Sequence, residues 1–199
     1  MHDVMTASRC TLVLVDYQQR LMPAIHRADA VLAHAERLAD AALLLGIPVI
    51  GTAQNPAGLG PNVESIRQRC ASTLTKMHFD ACAEAFADAR ADARADSKAD
   101  GLLAQLEPAR NDVVIAGCEA HVCLMQTALG LLRAGRRVWV VASACGSRSA
   151  HDHALAMARL GAAGATMVSV EMVVFEWLGD CKQLRFKDAL ALVRAQIAD

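Results

Sequence analysis

Cys123 stands in the most informative place of any residue able to do chemistry. It closes the loop Gly117-Cys-Glu-Ala-His-Val-Cys123, between an apolar run and a helical stripe. A thiol at a helix N-terminus meets the partial positive charge of unpaired amides, which lowers its pKa and favours thiolate. The same amides can receive the oxyanion formed when a carbonyl is attacked. Position alone fits equally a buried cysteine acting as a small hydrophobe.

Two further residues give that thiol company. Asp16 ends the apolar run Thr11 to Val15, where a carboxylate is costly unless paired. Lys76 follows a second short run, Ser72 to Thr75. Taken singly, Asp16 reads as a turn cap and Lys76 as a surface lysine. Together they supply a base and a cation beside a nucleophile. His121 invites a Cys–His dyad, but residues two apart on a helical turn do not face each other, so it reads as a pocket-wall or loop histidine. His151 and His153 are too short a cluster for a metal site and read as a solvated helix start. Arg148 reads as a structural ion pair before a carboxylate binder.

The elements that must position these residues follow from periodicity. Thr11–Val15, Pro48–Ala53, Ser72–Lys76, Asp112–Gly117, Arg137–Ser143 and Ala165–Val170 read as strands. Val31, Ala35, Leu38, Ala42 and Leu45 form one helical stripe, with Gly46 at its end. Further helices are expected over 122–134, 150–162 with Ser149 as N-cap, 172–178 and 183–198. Strands alternating with helices predict an α/β, three-layer, doubly wound fold with a mostly parallel central sheet. Ligands of such sheets bind beyond the carboxyl ends of the strands. Asp16, Gln54, Lys76, residues 117–123 and residues 145–148 all stand there. No GxGxxG or GxxxxGK[ST] occurs, so dinucleotide and P-loop chemistry lack support.

Composition narrows the partners. The chain has 199 residues, is 54% hydrophobic and carries a formal charge of −1. One globular domain spanning 1–199 is expected, with a small-molecule substrate and no case for nucleic acid or membrane. Seven scattered cysteines without a CxxC pair suit free thiols in a reducing compartment. With no targeting or spanning segment visible, the expected location is cytoplasmic. Residues 87–100, ADARADARADSKAD, form a low-complexity insertion that reads as a solvated helix or mobile segment.

The residues quoted so far carry a resemblance. The stretch GCEAHVCLMQTALGLLRAGRRVWVVASACGSRSAHD, residues 117–152, resembles the isochorismatase-like cysteine hydrolases, in particular their isochorismatase domain-containing branch. TLVLVDYQQRLMPAI (11–25), TAQNPAGLGPNV (52–63), LTKMHFDA (74–81) and the tail from Met172 match in the same order. The resemblance implies a triad of Asp16, Lys76 and Cys123, and a cis peptide before Glu119. It also implies an oxyanion hole from the amides of Glu119 and Cys123, and a homo-oligomer, dimer or tetramer. Tyr17, Gln54, Phe79 and His121 are the expected substrate-pocket residues. The apolar tail 172–178 is the expected interface helix.

Two departures qualify the match. The family's Phe-Ser pair after the lysine is here Phe79-Asp80, where Asp80 either puts a carboxylate near the site or caps a helix, the cap being the expectation. The region after the second strand, Ala53 to Gly60, lacks the ligand-grade residues of metal-binding nicotinamidase relatives, so no metal and no cofactor are expected. The expected activity is thioester-mediated cleavage of an amide or ester. The rivals are a vinyl-ether-cleaving isochorismatase and a silent or redox-responsive binding protein on the same fold.

Overall fold

A computed structural model describes residues 4–83 and 101–194; the insertion at 87–100 lies outside them. Six strands form one parallel sheet in the order β3-β2-β1-β4-β5-β6. They are β1 (Cys10–Val15), β2 (Val49–Gln54), β3 (Ser72–Lys76), β4 (Asp112–Gly117), β5 (Arg137–Val141) and β6 (Thr166–Val168). Every pairing is parallel, so the sheet is wholly rather than mostly parallel. All residues of β1, β2 and β4 are buried, as central strands covered on both faces require.

The chain leaves the middle of the sheet in both directions. Crossovers from β1 through α1 (Ala28–Leu44) and β2 run one way, and those from β4 through β5 to β6 run the other. Right-handed crossovers of opposite direction put their helices on opposite faces. The short helices α2 (Pro56–Leu59) and α3 (Glu64–Arg67) precede β3, and α4 (Leu102–Gln105) precedes β4. Helices α5 (Met125–Arg133) and α6 (Ala150–Ala162) pack together, whereas α1 packs with α3, α7 (Val170–Leu178) and α8 (Phe186–Arg194). The strand order reverses between β1 and β4, which makes their carboxyl ends the topological switch point.

Several boundaries differ from the sequence reading for local reasons. The expected strand 137–143 stops at Val141, because Ala142–Ala144 turn into a 3-10 helix. The expected helix from Val122 begins instead as a π-helical turn over Ala120–Leu124 before α5. Ser149 does cap α6, accepting from the Asp152 amide. In α7 the apolar residues Val173, Val174, Trp177 and Leu178 are buried in the molecule's own core, while Met172 and Phe175 stay exposed. Most of that apolar run therefore serves the core, and Met172 and Phe175 are the part left for the expected interface.

Candidate active site

Register brings the chemistry together. Val15 pairs with both Thr52 and Gly117, so β1 and β4 end level, while β2 and β3 run two residues further, to the pair Gln54 and Lys76. Asp16 follows β1 with φ at 54°, a left-handed turn that breaks the strand after Val15. Thr52 and Gln54 stand two apart on β2, so they share a face. Gly117 allows the closest approach: a Cβ there would lie 2.4 Å from the Val15 carbonyl oxygen.

Asp16 is completely buried and both its oxygens are engaged. Lys76 Nζ donates to Oδ2 at 2.7 Å, and the Thr52 hydroxyl donates to Oδ1 at 2.6 Å. Strands lie about 4.8 Å apart, so Lys76 must reach across β2, about 10 Å in all, to meet Asp16. Gln54 supports it on the way: Gln54 Oε1 accepts from Lys76 Nζ at 3.0 Å, while its Nε2 donates to the Met77 carbonyl at 2.7 Å. A buried charge of this kind is tolerated only when paired and hydrogen-bonded, and here both partners are.

Cys123 completes the group. It is 5% exposed and lies within the fields of Asp16, Lys76 and Glu119. Burial and the neighbouring Asp16 carboxylate push its pKa up to about 12, outweighing the lowering influence of Lys76. The expectation that the helix start would favour thiolate is thus corrected: the resting sulfur is a thiol. The physical reason is that desolvation of a buried anion exceeds what amides at a π-helical turn return. Cys118, the other thiol of the loop, is fully buried, touches Met22 Sδ at 3.9 Å and is raised by burial well above the ordinary range. It packs as a hydrophobe.

The loop between these cysteines is pinned on both sides. The Cys118–Glu119 peptide is cis. The Cys118 amide donates to Val15 O at 2.9 Å, and the Ala120 amide donates to Gly146 O at 2.6 Å. The amides of Val122 and Leu124 both donate to Glu119 O. The Glu119 carboxylate pairs with exposed Arg148 at 2.6 Å, the ion pair expected of that arginine.

The remaining pocket candidates scatter. Gln54 belongs to the site, but as the acceptor for Lys76. His121 is half-buried, and its Nδ1 meets Ser147 Oγ at 2.9 Å, not the Cys123 thiol. Tyr17 is fully buried with its hydroxyl donated to Ala144 O, a core position rather than a pocket wall. Phe79 is 51% exposed beside Lys76 on the chain. Asp80 accepts from the Cys82 amide at 2.8 Å and pairs with Arg133, the capping role expected of it. Thr52 was missed by residue type, yet its two-residue offset from Gln54 on a strand was a usable signal.

No group of three or more His, Cys, Asp and Glu among the described residues is placed to hold a metal ion. None of their helices is long and apolar enough to cross a membrane.

An all-parallel doubly wound sheet with Asp16 and Cys123 at its switch point, and Lys76 reaching Asp16 from β3, is an α/β architecture of the isochorismatase type. A sequence model of the Isochorismatase domain matches residues 10–172, and the chain belongs to that family. Isochorismatase domain-containing protein 2 of Xenopus laevis is 32% identical over 188 residues, covering 94% of this chain and 85% of that protein. Among solved structures, the MAR1 ribonuclease of Caenorhabditis elegans superposes with a TM-score of 0.83 at 28% identity, covering 99% of this chain and 95% of that one. The Escherichia coli YcaC gene product, described as an octameric hydrolase of unknown specificity, gives 0.80 at 23% identity over 96% of this chain and 89% of its own. At that identity the likeness is one of fold.

Proposed function

We propose that the protein is a cysteine hydrolase that cleaves an amide or ester of a small molecule through a thioester on Cys123. The observation that carries this reading is the buried Asp16–Lys76 pair, 2.7 Å apart, whose two charges both act on the buried Cys123 thiol. Burial and the Asp16 carboxylate hold the proton on the Cys123 sulfur at neutral pH. A preformed thiolate is therefore too scarce, and the proton passes from sulfur to Asp16 in the same step as attack on the carbonyl. Lys76 stays charged and holds the carboxylate while its charge is neutralised. The amides of Glu119 and Cys123 receive the oxyanion. Asp16 then gives the proton to the leaving amine or alcohol, and next takes one from the water that hydrolyses the thioester. Neither step calls on a metal.

The ribonuclease description of the C. elegans neighbour supports a second reading, RNA cleavage. A chain of formal charge −1 offers little of the phosphate neutralisation that dominates nucleic-acid affinity, and a thiol-carboxylate pair suits acyl transfer better than phosphodiester cleavage. We also propose self-association, supported by the octameric YcaC likeness and by the exposed Met172 and Phe175 on α7; sedimentation would read it directly.

The activity test is a panel of small amides and esters, with a single-stranded RNA in parallel. Acyl hydrolysis that vanishes in Cys123→Ala is the expected result. RNA cleavage with no acyl turnover would overturn the reading.

A further inference from the structure

A cavity lies on the same rim of the sheet, and Asp16, Lys76 and Cys123 are not among the residues that line it. Its volume is about 330 Å³, and His26, Arg27, His34, Ser143, Ser147 and His153 are among the residues that line it. A water takes about 30 Å³ of liquid, so the space holds on the order of ten waters or one small organic molecule. That is the lower end of the usual range for ligand pockets, about 300–1,000 Å³.

The lining has one electrostatic sense. It contains three histidines and one arginine, and neither an aspartate nor a glutamate. The first turns of α1 and α6 both contribute, through Arg27 and Ala30 on one side and Ser149, Ala150 and His153 on the other. Helix N-termini carry partial positive charge from amides without intrahelical acceptors. The acidic residues of these turns lie off the lining: Asp29 is exposed, and Asp152 accepts from Ser149 Oγ at 2.8 Å.

The histidines are not a metal cage, since no metal-holding group of three side chains exists among the described residues. His153 instead meets the Ala142 carbonyl through Nε2 at 3.0 Å, which requires the proton on that nitrogen. The wall is also held firmly. The His26 amide donates to Ser147 O at 2.9 Å, and the Gly146 amide donates to Gly117 O at 3.1 Å. A firmly held concave space lined by histidine, arginine and serine side chains, with no carboxylate among them, suits an anionic ligand.

We propose that this cavity is a binding site for a small organic anion bearing a carboxylate or phosphate group, distinct from the Cys123 site. Its occupant would sit one hydrogen bond from the nucleophile loop, because Ser147 Oγ contacts His121 and Gly146 O accepts from Ala120.

Calorimetric titration of the full chain with sodium malonate and, separately, inorganic phosphate tests the site and tells the two chemistries apart. At least one anion binds with a Kd of about 1 mM or tighter, and Arg27→Asn and His34→Gln each weaken it about tenfold. Neutral malonamide does not bind. Failure of both anions below about 10 mM, unchanged affinity in both variants, or equal binding of malonamide would each overturn the proposal.

Discussion

Lys76 Nζ lies 2.7 Å from Asp16 Oδ2 although a whole strand, β2, separates the strands that carry them. The reach is possible because β2 contributes Gln54 and Thr52, one to each partner. Cutting this pair should be costly. In Lys76→Met the Asp16 carboxylate is left buried without its cation, at a cost of about 3–5 kcal/mol by urea unfolding. The double variant with Asp16→Asn should recover part of that loss; a plain sum of the two single effects would contradict the coupling.

Thr52 tests positioning rather than charge. Thr52→Val removes the hydroxyl that donates to Asp16 Oδ1 and keeps the volume, so about 1–3 kcal/mol of stability should go. On the proposed mechanism kcat falls about tenfold or more while KM changes little, because the base is displaced and the substrate is not. Thr52→Ser should restore most of both. A KM effect without a kcat effect would argue for substrate contact instead.

Ionisation of Cys123 can be read by thiolate absorbance, native minus Cys123→Ala. With the thiol raised to about 12, no thiolate step belongs to this residue between pH 6 and 10. Asp16 is one of the groups raising it, so Asp16→Asn should lower the pKa, helped by a Lys76 freed of its partner. A neutral-pH thiolate in the native chain would contradict the resting state described above.

Stability should fall in alkali. Burial raises Cys10 to about 11 and Cys145 to about 12, from an ordinary value of 9.0. Above pH 9 the unfolded chain loses these protons while the folded chain keeps them, so the stabilisation, complete below that pH, declines toward pH 11–12. The slope is about 1.4 kcal/mol per pH unit for each such thiol. Melting temperatures at pH 8, 9.5 and 10.5 would show it, and a flat profile would contradict it.

Much of this was legible in the sequence because buried parallel strands announce themselves. Leu12–Val15 and Val113–Ala116 are unbroken apolar runs, and each leads into a site loop. Residues 150–162 were readable from Ser149 and an alanine-rich stripe. Other features depend on neighbours far along the chain. Thr52 and Gln54 acquire their roles only through the register of β2 with β1 and β3. Tyr17 looked like a pocket residue beside Asp16, yet its ring turns into the core toward Ala144. The thiol of Cys123 was misjudged for the same reason: a helix start is visible in sequence, but desolvation by the surrounding fold is not. The cavity at His26 and His153 joins segments more than a hundred residues apart, so no local pattern marked it.

The central claim is a covalent acyl group on Cys123. Rapid acid quench during turnover of an ester substrate, followed by mass spectrometry of proteolytic peptides, measures it directly. The account predicts the acyl mass on the peptide containing Cys123, absent in Cys123→Ala and released by hydroxylamine. Undiminished hydrolysis in Cys123→Ala, or the acyl mass on another residue, would contradict it.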